Sequence, residues 1–239
     1  MADVRVRKAL LHATNAKEIV QTLFTANYPQ AKGVIVSTAA GFVDLSAELA
    51  FDEAKAKALL DEAGWVPQAD GIRAKDGLPL VLSTYESLNY LQNREVLQLV
   101  AQQWAKVGVK LNVLSGDLGS KTIDSLDPEK TALIPAMVGR ADPDVIKSNY
   151  YPTNRNLLLQ KGGISQKVKS FEDTRLNGLF DAIAQEPDTA RRLALTQDVQ
   201  RYLIEQAYVI PLFEEPQVFA GAPWPVSYTH LTLPTIYSV

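Results

Sequence analysis

One short stretch of the chain, Gly139-Arg-Ala-Asp-Pro-Asp144, brings a fixed turn and several charged side chains together. Pro143 fixes the backbone of the turn, and the carboxylates of Asp142 and Asp144 flank it. These carboxylates either cap the segment that follows or face a cleft, where they could also act as an acid–base pair. The planar guanidinium of Arg140 can hold a carboxylate or another anion, or pair with a neighbouring acid at the surface.

A polar loop follows this stretch and offers further hydrogen-bonding side chains. It contains Asn154-Arg155-Asn156, and asparagine amides suit both ligand recognition and turns. The candidate ligand contacts predicted from the sequence are therefore Gly139, Arg140, Asp142 and Asn154.

Other reactive chemistry is poorly represented in the sequence. The chain has no cysteine, which excludes thiol catalysis, disulfides and thiolate metal sites. The two histidines, His12 and His230, lack a metal-ligand partner at helical spacing, and His12 lies off the apolar stripe of its helix, which predicts a solvent-facing side chain. No Gly-x-Ser-x-Gly, P-loop or dinucleotide fingerprint occurs. The sequence therefore predicts a protein that is not an enzyme and holds neither a metal nor a cofactor.

The bulk composition narrows the class of protein further. Of the 239 residues, 46% are hydrophobic and 21% are charged, which is ordinary for a globular protein. The net charge of −3 and the scattered basic residues give no reason to expect nucleic acid as a partner. No apolar run reaches the roughly 18 residues of a membrane helix, and the opening Met1-Ala2-Asp3 carries no signal peptide.

Helical patterns dominate the first third of the chain. Asp3 predicts the start of one helix, and Asn15 with Glu18 forms a capping-box-like start of the next. The most complete pattern is Phe51–Trp65, where Asp52 can cap the first N–H groups and Gly64 supplies a permissive C-terminal cap. The apolar stripe predicted for this helix comprises Ala56, Leu59, Leu60 and Ala63.

Strand patterns alternate with helices after that point. Two Asp-Gly pairs at 70–71 and 76–77 predict a small hairpin. Alternating apolar residues predict strands at 80–84 and 109–113, on either side of a helix ended by Gly108. The apolar stretch Thr131–Val138 predicts a buried strand that Pro135 confines to an edge or a bulge. Two further helices begin near Phe171 and Pro187, a last strand is predicted at 208–213, and the alternation indicates an α/β fold.

Four blocks of this sequence together resemble the peptide/nickel/opine class of extracytoplasmic solute-binding proteins, which serve ABC transporters. They are residues 4–20, Phe51–Trp65 with the hairpin after it, Gly139–Asp144, and residues 190–213, and the resemblance extends over residues 3–222. Asn15 stands where members of the class usually have Asp. In peptide-binding members an Asp that pairs with the ligand's amino group stands where this chain has Gly139, which argues against the oligopeptide mode of binding.

The resemblance implies the C-terminal lobe of a two-lobed, periplasmic-binding-protein-like (type II) fold, an α/β lobe over residues 1–225 with a mixed sheet flanked by helices. Members of the class close like a hinge on a ligand between the lobes. The implied function is capture of a peptide-like or other small polar solute by a monomer, for delivery to the membrane permease of an ABC importer. The implied location is periplasmic, or extracellular and membrane-anchored, in the full-length protein. The alternative is an extracytoplasmic enzyme of unknown class that uses Asp142 and Asp144 as acid–base carboxylates.

The last residues of the chain differ in composition from everything before them. No Asp, Glu, Lys or Arg occurs from Pro216 to Val239. Residues 226–239 resemble the translation of synthetic sequencing-adaptor DNA, which predicts a non-native tail. The alternative is a genuine tail whose Tyr, Thr, Leu and Ile residues suit a β-strand.

Overall fold

The structure is a computed structural model that describes residues 1–86, 92–117, 124, 130–137, 144–151 and 173–216. The described elements alternate between helices and short strands, as the sequence predicts. In chain order they are α1 (Val4–Ala13), α2 (Ala16–Leu23), α3 (Glu53–Glu62), β1 (Val66–Pro67), β2 (Arg73–Lys75), β3 (Leu78–Pro79), β4 (Val81–Tyr85), α4 (Asn93–Ala105), β5 (Lys110–Leu114), α5 (Asp144–Tyr150), α6 (Thr174–Gln185) and α7 (Thr189–Glu205).

Side-chain caps set where most of these helices begin. In five of them the residue before the helix accepts a hydrogen bond from a backbone N–H of the first turn, which satisfies a group that the helix itself leaves unpaired. The capping residues are Asp3, Asn15, Asp52, Asp173 and Asp188. The caps that the sequence predicts at Asp3, Asn15 and Asp52 are therefore confirmed.

The strands form two small sheets among the described residues. Strands β1, β2 and β3 form an antiparallel meander, which confirms the predicted hairpin. Strands β4 and β5 are parallel, with Val81 opposite Lys110 and Tyr85 opposite Leu114, and α4 makes the crossover between them. The result is a mixed α/β arrangement of sheets flanked by helices.

Buried apolar side chains form two core clusters. The first core lies among α1, α2, α3, α4 and the parallel strands and includes Leu10, Leu60, Trp104 and Leu111. The second core lies among α5, α6, α7 and residues 34–49. Helix α1 contributes to both, since Leu10 belongs to the first core and Leu11 to the second.

The prediction of a solvent-facing His12 is wrong. The side chain is only 6% exposed, and its Nδ1 lies 2.9 Å from the carbonyl oxygen of Ala50. The reason is that α1 is covered by two cores, so its buried face is wider than a single apolar stripe. Among the described helices, none combines the length and the apolar character that a bilayer crossing requires.

Two predicted strands are also absent from the described part of the chain. Residues 131–137 form no regular strand, and Pro135 lacks the N–H that a ladder needs. The predicted strand at 208–213 is reduced to a single bridge between Gln30 and Phe213. Both segments contact their neighbours through isolated hydrogen bonds.

Candidate functional site

The ligand contacts predicted from the sequence lie outside the described residues. This applies to Gly139, Arg140, Asp142 and Asn154, and to residues 226–239 of the predicted tail. Helix α5 begins at Asp144, directly after the predicted turn. These assignments stay predictions.

The parallel strands β4 and β5 end at the same edge of their sheet. In open α/β sheets, ligands bind in the crevice outside the carboxyl ends of the strands. Residues 131–137 lie beside β4, because the Ala132 N–H donates to the Ser83 oxygen at 2.9 Å and the Thr84 hydroxyl donates to the Leu133 oxygen at 2.9 Å. The first contact joins Ala132 to Ser83, and the second joins the next residue of each segment, Leu133 and Thr84. Residues 131–137 therefore run parallel to β4 and end toward the same edge.

A carboxylate, a phenol and an ammonium group meet around the side chain of Tyr85, the last residue of β4. The Tyr85 hydroxyl donates to Asp124 Oδ2 at 2.7 Å, and Lys130 Nζ lies 2.7 Å from Asp124 Oδ1. The hydrogen bond from Lys130, and then that from Tyr85, holds the pKa of Asp124 below its usual value. The same carboxylate raises the pKa of the Tyr85 phenol. Asp124 is therefore ionised at neutral pH, and both of its oxygens have partners.

A second polar group adjoins the ends of both strands. The Glu86 N–H donates to the Leu114 oxygen at 3.0 Å, which continues the parallel ladder by one bond. Arg94, near the start of α4, places Nε 3.3 Å from Glu86 Oε2 and donates from Nη2 to the Ser115 hydroxyl at 3.1 Å. The Arg94 side chain is 58% exposed and that of Glu86 is 15% exposed, so the guanidinium remains accessible to solutes.

Two separate polar groups, Tyr85–Asp124–Lys130 and Glu86–Arg94–Ser115, thus adjoin the ends of the strands, and we call them together the carboxyl-edge cluster. Its two acids and two bases balance in charge, and its groups donate and accept hydrogen bonds. It contains no serine, threonine or cysteine nucleophile paired with a histidine base. In the part of the chain that the structure describes, no group of three or more His, Cys, Asp or Glu residues could hold a metal ion. This chemistry suits recognition of a polar solute.

Sequence reasoning missed the carboxyl-edge cluster because its members are far apart in the chain. Tyr85 and Asp124 are separated by 39 positions, and no local motif joins them. A usable signal was the strand–helix–strand pattern of residues 80–113, since a parallel pair of strands brings the residues that follow both to one edge.

The fold is that of a lobe of a periplasmic binding protein, as comparison with solved structures shows. The oligopeptide binding protein from Thermus thermophilus, complexed with a pentapeptide, superimposes with a TM-score of 0.71 at 23% identity, over 88% of this chain and 37% of that one. NikA from Brucella suis, in complex with Fe(III)-EDTA, superimposes with a TM-score of 0.69 at 24% identity, over 88% of this chain and 42% of that one. At such identities the likeness establishes the fold alone.

Sequence comparison gives the family. Residues 1–158 match the profile described as "Bacterial extracellular solute-binding proteins, family 5 Middle". The chain belongs to this family, which confirms the predicted class and indicates an extracytoplasmic protein.

Two curated relatives illustrate the family. The dipeptide-binding protein of Escherichia coli (strain K12) is 26% identical over 209 residues, which are 86% of this chain and 36% of the relative. Heme-binding protein A of Haemophilus influenzae is 27% identical over 230 residues, which are 95% of this chain and 37% of the relative. The chain therefore spans less than two fifths of the length of either relative.

Proposed function

We propose that this chain is the C-terminal lobe, residues 1–225, of the solute-binding component of an ABC importer. The observation that carries the proposal is the family match over residues 1–158, which includes both parallel strands and their carboxyl edge. In this proposal the full-length protein is a monomer that captures a solute in the cleft between two lobes and delivers it to a membrane permease. Nucleic acid has no role in it.

The carboxyl-edge cluster supplies one wall of the proposed cleft. Arg94 offers an accessible guanidinium for an anionic or carbonyl group of the solute, and Glu86 limits how far that guanidinium moves. Asp124 is held by Tyr85 and Lys130, so this part of the wall is preorganised before a solute arrives. The predicted contacts Gly139, Arg140, Asp142 and Asn154 complete the wall in this proposal.

The proposed solute is peptide-like or another small polar molecule. The relatives include dipeptide-, glutathione- and heme-binding proteins, so the family alone does not select one solute. Gly139 stands where peptide-binding members have an acid for the ligand's amino group. We therefore expect a solute that is held through its anionic or neutral polar groups more than through an ammonium group.

Binding without chemistry is the proposed mode of action. The relatives are binding proteins, and the carboxyl-edge cluster carries no nucleophile with a matched base. The alternative, an extracytoplasmic enzyme of unknown class, depends on Asp142 and Asp144 as acid–base carboxylates. Hydrolysis of a solute by the wild-type protein that is lost in both D142N and D144N would favour that alternative.

Calorimetric titration tests the proposed lobe assignment. True ligand sites enclose most of the ligand surface, and one wall of a cleft cannot do so. We therefore expect the 239-residue chain, titrated with dipeptides, glutathione, sugars and metal chelates, to bind nothing more tightly than at weak millimolar affinity. The same lobe within the full-length protein should bind one of these solutes at micromolar affinity or better.

Comparing the 239-residue chain with the full-length protein distinguishes a wrong lobe assignment from a wrong solute class. Micromolar binding by the 239-residue chain alone would overturn the assignment as one wall of a two-lobed cleft. If neither the isolated chain nor the folded full-length protein binds any member of the panel, the proposed class of peptide-like or small polar solutes is contradicted.

A further inference from the structure

The last two residues of β4, Thr84 and Tyr85, use their side chains to hold the chain that follows β5. Thr84 is fully buried, and its hydroxyl donates to the Leu133 oxygen at 2.9 Å. Tyr85 points to the opposite face of the strand, since successive residues alternate, and its hydroxyl donates to Asp124 Oδ2 at 2.7 Å. We call these two side-chain hydrogen bonds the tethers, and one of them lies on each face of the strand.

These tethers replace hydrogen bonds that a regular strand would supply. Residues 131–137 are not a regular strand, and their backbone bond to β4 at Ala132 is a single one, from its N–H to the Ser83 oxygen at 2.9 Å. The next residue, Leu133, is held by the side chain of Thr84, whose hydroxyl donates to its carbonyl oxygen. A buried hydroxyl or carbonyl that loses its partner is costly, so this contact strongly favours one placement of the segment.

The tethers also determine where the charges of the carboxyl-edge cluster lie. Lys130 directly precedes the tethered residues, and its ammonium group reaches the same Asp124 that Tyr85 holds. The backbone bond at Ala132 and the Thr84 contact fix the chain two and three residues after Lys130. The position of the Lys130–Asp124 pair relative to β4 thus depends on both tethers.

We propose that Thr84 and Tyr85 are positioning residues of the solute site, which hold Leu133 and Asp124 against β4 and so preorganise the Asp124–Lys130 group of the carboxyl-edge cluster. The inference rests on the proposed function for its consequence in binding. The tethering itself is testable without any solute.

Matched variants of Thr84 separate the hydroxyl from the shape of the side chain. T84V keeps the branched shape and removes the hydroxyl, whereas T84S keeps the hydroxyl. In the 239-residue chain we expect T84V to accelerate amide hydrogen exchange at Ala132 and Leu133 by about fivefold to tenfold, as loss of one hydrogen bond predicts. T84S should stay near wild type, and exchange at Leu111 in β5 should be unchanged in both. Equal exchange at Ala132 in T84V and T84S would overturn the proposal.

Y85F provides a second route if T84V fails to fold. The phenol is on the outer face, so its removal spares the core, and we expect Asp124 and Lys130 to separate. The readout is the carboxyl carbon shift of Asp124 during an NMR titration with acid. In Y85F its midpoint should rise relative to wild type, because a hydrogen bond that stabilises the ionised carboxylate is gone. An unchanged midpoint would contradict the Tyr85 tether.

Millimolar glutathione then probes the link to binding. In wild type and T84S we expect glutathione to shift the amide signals of Glu86, Ser115 and Met137, and in T84V to shift them less at the same concentration. Equal shifts in T84V and T84S would overturn the positioning role. If glutathione shifts no signal even in wild type while T84V still accelerates exchange, the tethers stand and the proposed solute class fails.

Discussion

The imidazole of His12 joins α1 to the segment that precedes α3. Its Nδ1 lies 2.9 Å from the Ala50 oxygen, and because a carbonyl only accepts, Nδ1 carries the proton. The backbone oxygen of His12 also accepts from the Asp52 N–H at 2.9 Å. One residue thus fastens the end of α1 to the chain at two points, next to the boundary between the two cores.

This arrangement predicts a stability that depends on pH through His12. Burial lowers the pKa of His12 below its usual value of 6.5; the bond to Ala50 and the charge of Asp52 oppose the shift, and Lys55 and Lys8 add to it. The folded state therefore binds fewer protons than the unfolded state near this pH. The contribution of His12 to the free energy of unfolding is complete above about pH 6.5 and is lost progressively as the pH falls below that value.

Urea unfolding of wild type and H12N checks this prediction. Asparagine can place an amide N–H near the Nδ1 position but does not titrate, and His230 is present in both proteins. We expect the difference in free energy of unfolding between wild type and H12N to become less favourable to wild type as the pH falls from neutral to below about 6. A difference that is constant over this range would show that His12 does not titrate differently on unfolding.

At the scale of elements, the turn between α4 and β5 is tightly constrained. Gly108 has a φ of +86°, and a Cβ there would lie 2.7 Å from Cγ of Arg73. Arg73 is itself buried and donates from Nε to the Val107 oxygen at 2.8 Å and from Nη1 to the Trp65 oxygen at 2.6 Å. The arginine therefore links the chain that follows α3, strand β2 and this turn, and glycine is the residue that leaves room for it.

Alanine substitutions at Gly77 and Gly108 separate the loss of stability caused by backbone strain from the loss caused by a packing clash. Gly77 has a φ of +78°, and a Cβ added there would meet nothing within 4 Å, so G77A should lose only about 1 to 2 kcal/mol from backbone strain. G108A should lose about 1 to 3 kcal/mol more, because the new methyl group displaces Arg73. Denaturant unfolding of both variants gives the comparison. Equal losses would contradict the role assigned to the Arg73 contact.

Local sequence signals predicted the elements well where one helix or turn contains the whole cause. Asp52 accepts from the Lys55 N–H at 2.8 Å, and Gly64 adopts a φ of +84° at the end of α3, as the pattern of Phe51–Trp65 predicts. Ala56, Leu60 and Ala63 are buried, and Leu59 lies half-buried against the same core. The apolar stretch 131–137 was less informative, because hydrophobicity does not reveal whether a neighbouring strand can pair with it.

At the scale of the whole molecule, the lobe is organised around two cores that share α1. The first core covers the parallel strands and α4, and the second joins α5, α6 and α7. Asp173 connects the last two helices, since it caps α6 and its Oδ2 accepts from the hydroxyls of Tyr202 and Tyr208, each at 2.8 Å. The carboxyl-edge cluster lies on the part of the lobe that the first core supports.

The predicted non-native tail is tested by truncation at the whole-molecule scale. Residues 226–239 are predicted to be a non-native tail, so we expect their removal to leave the midpoint of thermal unfolding unchanged or higher. A neutral segment without a sheet to join also promotes aggregation, so the shortened chain should stay soluble at higher concentration. A large fall in the midpoint would identify residues 226–239 as an integral strand.

The sequence by itself determined the described helices other than α5, the caps at Asp3, Asn15 and Asp52, the turn glycines and the family, because each of these depends on residues that are neighbours in the chain or on motifs in a fixed order. Only the tertiary structure decided which distant side chains meet. Tyr85 reaches Asp124 across 39 positions, and His12 is buried because a second core covers α1. The physical reason is that burial and long-range hydrogen bonds are properties of how elements pack, and the pattern within one element does not specify its neighbours.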